Sequence, residues 1–196
     1  FLNVNGTLSF KSPYPQYPTA ANLLPGRDLI APFWADVDIR LDGEGAESGP
    51  VWIDVDAAAG RATVTWDGVG VYRRNGVPET TVQLQLFDRG GGDFDIAFRY
   101  QEIGWTRGTA EGDAGARAGL ASTRLSAPDW IATPGGPAAH RALPEQPGSG
   151  GAPGLWLFEM RDGAAGPLDP VGGAIRRGGP DGDALAGTPR DDLLVG

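Results

Sequence analysis

The sequence predicts an all-β fold, an antiparallel β-sandwich with long Gly/Pro-rich loops, and three features carry that prediction. Thr80 to Phe87 and Asp93 to Tyr100 alternate apolar and polar residues cleanly, with Val82, Leu84 and Leu86 on one face and Phe94, Ile96, Phe98 and Tyr100 on one face of the next segment. The 196 residues include 32 glycines and 17 prolines, yet hydrophobic residues reach 40% and aromatics 9%, which suits many short strands joined by turns. No window sustains an apolar stripe at helical spacing, so two sheets packed face to face are the economical way to bury the apolar faces.

Taken in chain order, Phe1 to Phe10 has alternate apolar residues on either side of Asn5-Gly6, a tight-hairpin signal. Lys11 to Gly26 carries Pro13, Pro15, Pro18 and Pro25, a density that forbids helix and inner strand and predicts an ordered surface loop. Ile30 to Ile39 is an apolar segment containing Asp36 and Asp38. Val51 to Asp56 and Arg61 to Asp67 are β-rich, with Ala57 to Gly60 as a hairpin connection. Gly90-Gly91-Gly92 joins the two alternating strands, whose opposite faces carry Gln83, Gln85, Asp95 and Arg99 and so predict a sheet that is wet on one side. Ala116 to Ala121 and Leu155 to Met160 are further strands, and Pro128 to Pro153 between them reads as loop anchored by Trp130 and Ile131.

Charge and composition narrow the function. The formal net charge of −9 would repel a phosphate backbone, so nucleic acid is excluded as a partner. With no cysteine there is no disulfide or thiolate metal site, and one histidine, His140, makes a histidine-dependent triad improbable. Apolar runs extend to about four residues against the roughly 20 of a membrane-spanning helix, which predicts no membrane span. The chain opens at Phe1 without a leader pattern, as a mature product or a piece of a longer polypeptide would. Lys11 is the sole lysine among 16 basic residues, a compositional skew without functional weight.

After Gly163 the hydrophobic content collapses. Residues 1–163 therefore form one domain, 164–177 a Gly/Pro linker, and 178–196 a repeat in which Gly178, Asp183 and Leu185 recur as Gly187, Asp192 and Leu194, nine residues on. That period resembles the glycine-rich, hemolysin-type (RTX) calcium-binding nonapeptide. The resemblance implies the start of a parallel β-roll, with Asp183 and Asp192 as calcium ligands and Leu185 and Leu194 filling its interior. Pro180, Asp181, Thr188 and Arg190 depart from the strict pattern. In such a roll each ion sits between parallel turns two repeats apart, so the incomplete tail is expected to bind calcium poorly and to be indifferent to loss of both aspartates.

Five segments occur in the order of the NIDO (nidogen-like) domain: Val4 to Phe10, Ile30-Ala-Pro-Phe-Trp-Ala-Asp-Val-Asp38, Val64 to Gly70, Phe94 to Trp105 and Ala118-Gly-Leu120. The chain resembles that family over roughly 1 to 163. The resemblance implies a non-enzymatic extracellular module of cell–matrix adhesion type, with no catalytic residues to transfer. Joined to the RTX-like tail, it implies a bacterial exoprotein, located outside the cell or on its surface and exported by a type I system.

Asp36 and Asp38, two residues apart on an extended segment, could offer paired carboxylates to calcium or to acid–base chemistry. The simpler assignment is that they accept backbone N–H bonds and fix the turn after Trp34. Asp54 and Asp56 share the spacing on a strand and read as a solvated face. Trp34, Trp66 and Trp105 could stack on sugar rings, but their place in apolar runs favours core packing. Arg73-Arg74-Asn75-Gly76 reads as a solvated turn that could dock an acidic partner, and His140 near Ser149 lacks a nucleophile elbow. The expected function is thus an extracellular binding or adhesion module with an unidentified protein or glycan ligand. The rivals are a secreted hydrolase or carbohydrate-binding accessory using Asp36 and Asp38, and a plain structural spacer.

Overall fold

A computed structural model describes residues 1–23, 26–123, 129–131 and 136–167, together with two short tail strands at 176–177 and 194–195. Among them twelve strands build two antiparallel sheets. The smaller sheet takes β1 (Leu2–Asn3), β2 (Thr7–Ser9), β3 (Leu29–Trp34), β9 (Arg117–Ala121) and β10 (Asp129–Ile131), in that spatial order. The larger sheet runs β12 (Ala164–Pro167), β11 (Leu155–Arg161), β8 (Asp93–Ile103), β7 (Asn75–Gly90), β6 (Arg61–Val71), β4 (Val37–Asp38), and β5 (Val51–Asp56) pairs with the other end of β6.

The central hairpin has the register that its alternation dictates: Leu84 faces Phe98 and Leu86 faces Ile96. These residues and Val82 meet Ile30, Phe33, Ala118 and Leu120 of the smaller sheet in one apolar core. Trp66 is fully buried and donates its indole N–H to the Val4 carbonyl at 2.8 Å, tying the first hairpin to the large sheet. Tyr100 does the same from β8, donating to the Pro32 carbonyl at 2.8 Å. Phe33 and Trp105 stack edge to face at 5.1 Å. Burial of large aromatics with their polar atoms satisfied is what makes them stabilising rather than costly.

The proline-rich loop is ordered by a second apolar cluster on the outer face of β3. Trp34 packs against Tyr14 at 5.7 Å and donates to the Gln16 carbonyl at 2.7 Å.

Several details differ from expectation, among them strands at Asp129–Ile131 in the expected loop and Ala164–Pro167 in the expected linker. The outer face of the large sheet is partly covered: Ala97, Leu155 and Leu157 are buried there. Asp95, expected on the wet side, is 2% exposed and paired to Arg89 and Arg161 at 2.5 Å each. Within the stretch expected to be loop, Pro137–Ala142 forms a 3-10 helix that buries His140 against β8 and β9, while Leu143 enters the core. Six residues, about two turns of such a helix, are too few to show a period in the sequence.

Beyond residue 167, Arg176–Arg177 pairs in parallel with Leu194–Val195, placing Arg176 opposite Leu194. The carboxylates of Asp183 and Asp192 lie outside the described residues.

Candidate functional site

The Ile30 to Ile39 segment enters as strand β3 and is released from the smaller sheet after Trp34, where the register with β9 shifts between Ala31 and Trp34. It then crosses to pair with β6 through Val37 and Asp38. Asn5, from the first hairpin, steers the crossing: its side-chain oxygen accepts the Val37 N–H at 3.0 Å, and its own carbonyl accepts the Ala35 N–H. Both aspartates are thereby carried from one sheet to the other and buried, at 7% and 5% exposure.

The two carboxylates have different surroundings. Asp38 accepts the Arg40 backbone N–H at 3.1 Å and the Arg40 guanidinium at 2.8 and 2.5 Å. Its second oxygen also accepts the N–H groups of Arg73 and Arg74 at 3.1 and 3.2 Å. Those two residues have positive φ, 76° and 56°, in a turn that the carboxylate closes. Hydrogen bonding to Arg40, helped by the backbone donors and opposed by burial, holds Asp38 well below the usual carboxylate range.

Asp36 has an oxygen, Oδ2, that is buried without a partner. Burial, then the neighbouring charges of Asp113 and Asp38, push its carboxyl up to about 6, only partly offset by Arg40. Asp113 was not legible in the sequence. It accepts the Gly108 and Gly115 N–H groups at 2.6 and 2.5 Å. Its only outward signal is the Gly112-Asp113-Ala114-Gly115 string, whose glycines have φ of +74° and +81°. Among the described residues no three Asp, Glu, His or Cys side chains gather in an arrangement that could hold a metal ion.

The remaining candidates separate cleanly. Trp34, Trp66 and Trp105 are buried, so none of these three rings opens a face to a sugar. His140 is fully buried, with Nδ1 3.1 Å from the Pro137 carbonyl, and burial lowers its pKa. The Ser149 hydroxyl donates to the Leu157 carbonyl at 2.8 Å and accepts the Leu157 N–H at 2.7 Å, which spends it on the fold. Arg73 and Arg74 are exposed, and Arg74 lies 3.9 Å from Asp42. Asp54 is exposed, while Asp56 accepts the Ala59 N–H and lies 3.8 Å from Arg61.

Beside them on β5, Trp52, Ile53 and Val55 are 59%, 63% and 67% exposed. This feature escaped the sequence argument because apolar residues on both faces of a strand ordinarily mark an interior position.

The sandwich, the crossing at Asp36 to Asp38 and the buried tryptophans coincide with the segments that resemble one extracellular module, and the model of the nidogen-like domain matches residues 1–162. The chain belongs to the nidogen-like domain family. It is 31% identical to human alpha-tectorin over 91% of this chain and 9% of that protein. Chicken alpha-tectorin is 32% identical over 90% of this chain and 9% of that protein. The Caenorhabditis elegans dendrite extension defective protein 1 is 28% identical over 83% of this chain and 15% of that protein. The nidogen-like domain thus spans about a tenth of the length of its tectorin relatives. No solved structure matches it. None of the helices among its described residues is long and apolar enough to cross a membrane.

Proposed function

We propose that this nidogen-like domain is a non-enzymatic extracellular module that binds a protein or glycan partner in adhesion or matrix assembly. Membership of the family over 1–162 carries the reading, and the animal relatives, alpha-tectorin among them, are of the kind that it implies. The chemistry of the described residues supports binding over turnover. The single imidazole is sealed in the core, the nearby serine is committed to backbone, and Asp38 is saturated by Arg40 and turn N–H groups. Arrays of glycans and matrix proteins test it. A saturable ligand without consumption of any substrate is the expected result, and hydrolysis of a polysaccharide or peptide library that is lost on neutralising Asp36 and Asp38 would refute it.

A second reading concerns the tail, where the proposal is the start of an RTX-like β-roll in which Asp183 and Asp192 stand as incomplete calcium sites, together with export of the type I kind from a bacterial cell. Its support is the nine-residue period of Gly178, Asp183 and Leu185 with Gly187, Asp192 and Leu194. Asp36 and Asp38 belong to the same proposal only as the weaker candidates, since Asp38 already has a guanidinium where a cation would sit. Calcium titration of the full chain with and without Asp183→Ala and Asp192→Ala checks it. Weak binding, unchanged by the two substitutions, is expected of a roll with so few turns, and a tight site that they abolish would contradict that expectation.

A further inference from the structure

We propose that the open edge of β5, with the apolar groove beside it, takes up an extended strand of a partner polypeptide whose residues alternate apolar and basic. The inference rests on reading the domain as a binding module. One side of β5 pairs with β6 without interruption, from Val51 opposite Trp66 to Asp56 opposite Arg61. On its other side no described strand or loop bonds to its backbone. Edge strands are ordinarily protected from further pairing by charged side chains, lysine above all, by proline, a bulge or a cover, and of these β5 has only Asp54 and Asp56. Val51-Trp-Ile-Asp-Val-Asp56 has no lysine, proline or glycine and no register shift.

The two faces of the strand differ, and each difference specifies something about the partner. Ile53 lies opposite Val64, which lies opposite Leu84 of the core, so Val51, Ile53 and Val55 prolong the inner face of the large sheet. Beyond the cover of the smaller sheet this face opens as a groove of about 480 Å³, floored by Val55, Ala62, Leu86 and Phe94 and walled by Phe10. The opposite face carries Trp52, Asp54 and Asp56, and Asp67 accepts the Trp52 indole N–H at 3.2 Å. A strand added to this edge would set its inward residues beside Val51, Ile53 and Val55, at the mouth of the groove, and its outward residues beside Trp52, Asp54 and Asp56.

Charge selects the occupant. Asp54 and Asp56 lie on this edge, Asp67 lies beside Trp52, Asp88 and Asp93 rim the groove, and the nearby Arg61 is shared with Asp56. A second copy of this chain would bring the same carboxylates and a net charge of −9 to the contact. A basic, alternating strand brings the complement.

Titration of the full chain with a short synthetic peptide alternating valine and lysine, capped at both ends, tests the assignment. Saturable quenching of the exposed Trp52 is expected, weakening with added salt, together with slowed amide exchange across Val51–Asp56. Ile53→Lys with Val55→Lys should weaken binding by about tenfold or more without moving the melting temperature. Should that variant misfold, Asp54→Asn with Asp56→Asn, which leaves the apolar groove intact, should still weaken binding. Equal binding of a peptide with the same residues in two blocks, or of the variants, would overturn the proposal. So would self-association of the native chain that the lysine variant abolishes, which would make the occupant a second copy. The two readings fail separately: an array ligand that still binds the lysine variant removes the edge and leaves the module standing.

Discussion

Asp36 and Asp38 show how identical side chains two positions apart acquire opposite acidities. Asp38 is surrounded by donors and stays ionised, contributing stability that is present above the ordinary carboxylate pKa and lost as pH falls below it. Asp36 is raised from 3.8 to about 6 by burial and two neighbouring carboxylates, so the folded state binds its proton more tightly than the unfolded state. The sign is therefore reversed: stability from this group is unimpaired below about pH 4, falls as pH rises toward 6, and is lowest above that. Asp36→Asn removes the titration while keeping the shape. Chemical denaturation should find the variant more stable at pH 7 by on the order of 1–3 kcal/mol and no different near pH 4. A variant that loses stability at pH 7 would show that the ionised carboxylate is needed. That two acids stand inside an apolar segment was legible in Ala35-Asp-Val-Asp38, whereas their burial was not. Which acid would gain further donors and which a like-charged neighbour was not legible either, because the N–H groups of Arg73 and Arg74 and the carboxylate of Asp113 come from distant turns.

At the scale of elements, alternation and turn signals located the strands well where a strand has one wet face. The Thr80 to Tyr100 hairpin emerged with its expected inner residues, and Asn5-Gly6 marked the first hairpin. Ends were less legible: β6 continues to Val71 and β7 begins at Asn75, because Gly68 and Gly70, which read as a break, are accommodated by register shifts in the pairing. Gly6 shows why the first turn tolerates no side chain. Its φ is +75°, and a Cβ there would lie 1.8 Å from the Phe33 carbonyl oxygen, so both the turn and the close approach of β3 require glycine. Gly43 has nearly the same φ, +76°, with nothing within 4 Å. Comparing the two separates backbone strain from collision. Gly43→Ala should cost about 1 kcal/mol in denaturant titrations, whereas Gly6→Ala should cost on the order of 3 kcal/mol or more. Equal costs would mean that β3 yields to the added methyl.

For the molecule as a whole, the order of strands around the sandwich was beyond sequence reasoning, since β5 and β4 both pair with β6 and the apolar residues of β5 gave no hint of an edge. Strand pairing carries on past Gly163, where the hydrophobic content drops: Ala164–Pro167, expected as the start of the linker, pairs with β11. Among the described residues, every member of the three apolar clusters lies between Leu2 and Phe158, and the last strand of the large sheet, β12, closes on β11 by Pro167. Hydrophobic burial sets cooperativity, and a segment that contributes nothing to the core should leave it untouched. A chain ending at Pro167 should thus melt in one transition at the temperature of the full chain, with or without calcium. Any calcium effect on the full chain should then leave the amide protection of β6, β7 and β8 unchanged, because binding stabilises only the unit whose unfolding releases the ligand. A melting temperature lowered by several degrees in the shortened chain would mean that residues after 167 pack on the sandwich and belong to its cooperative unit.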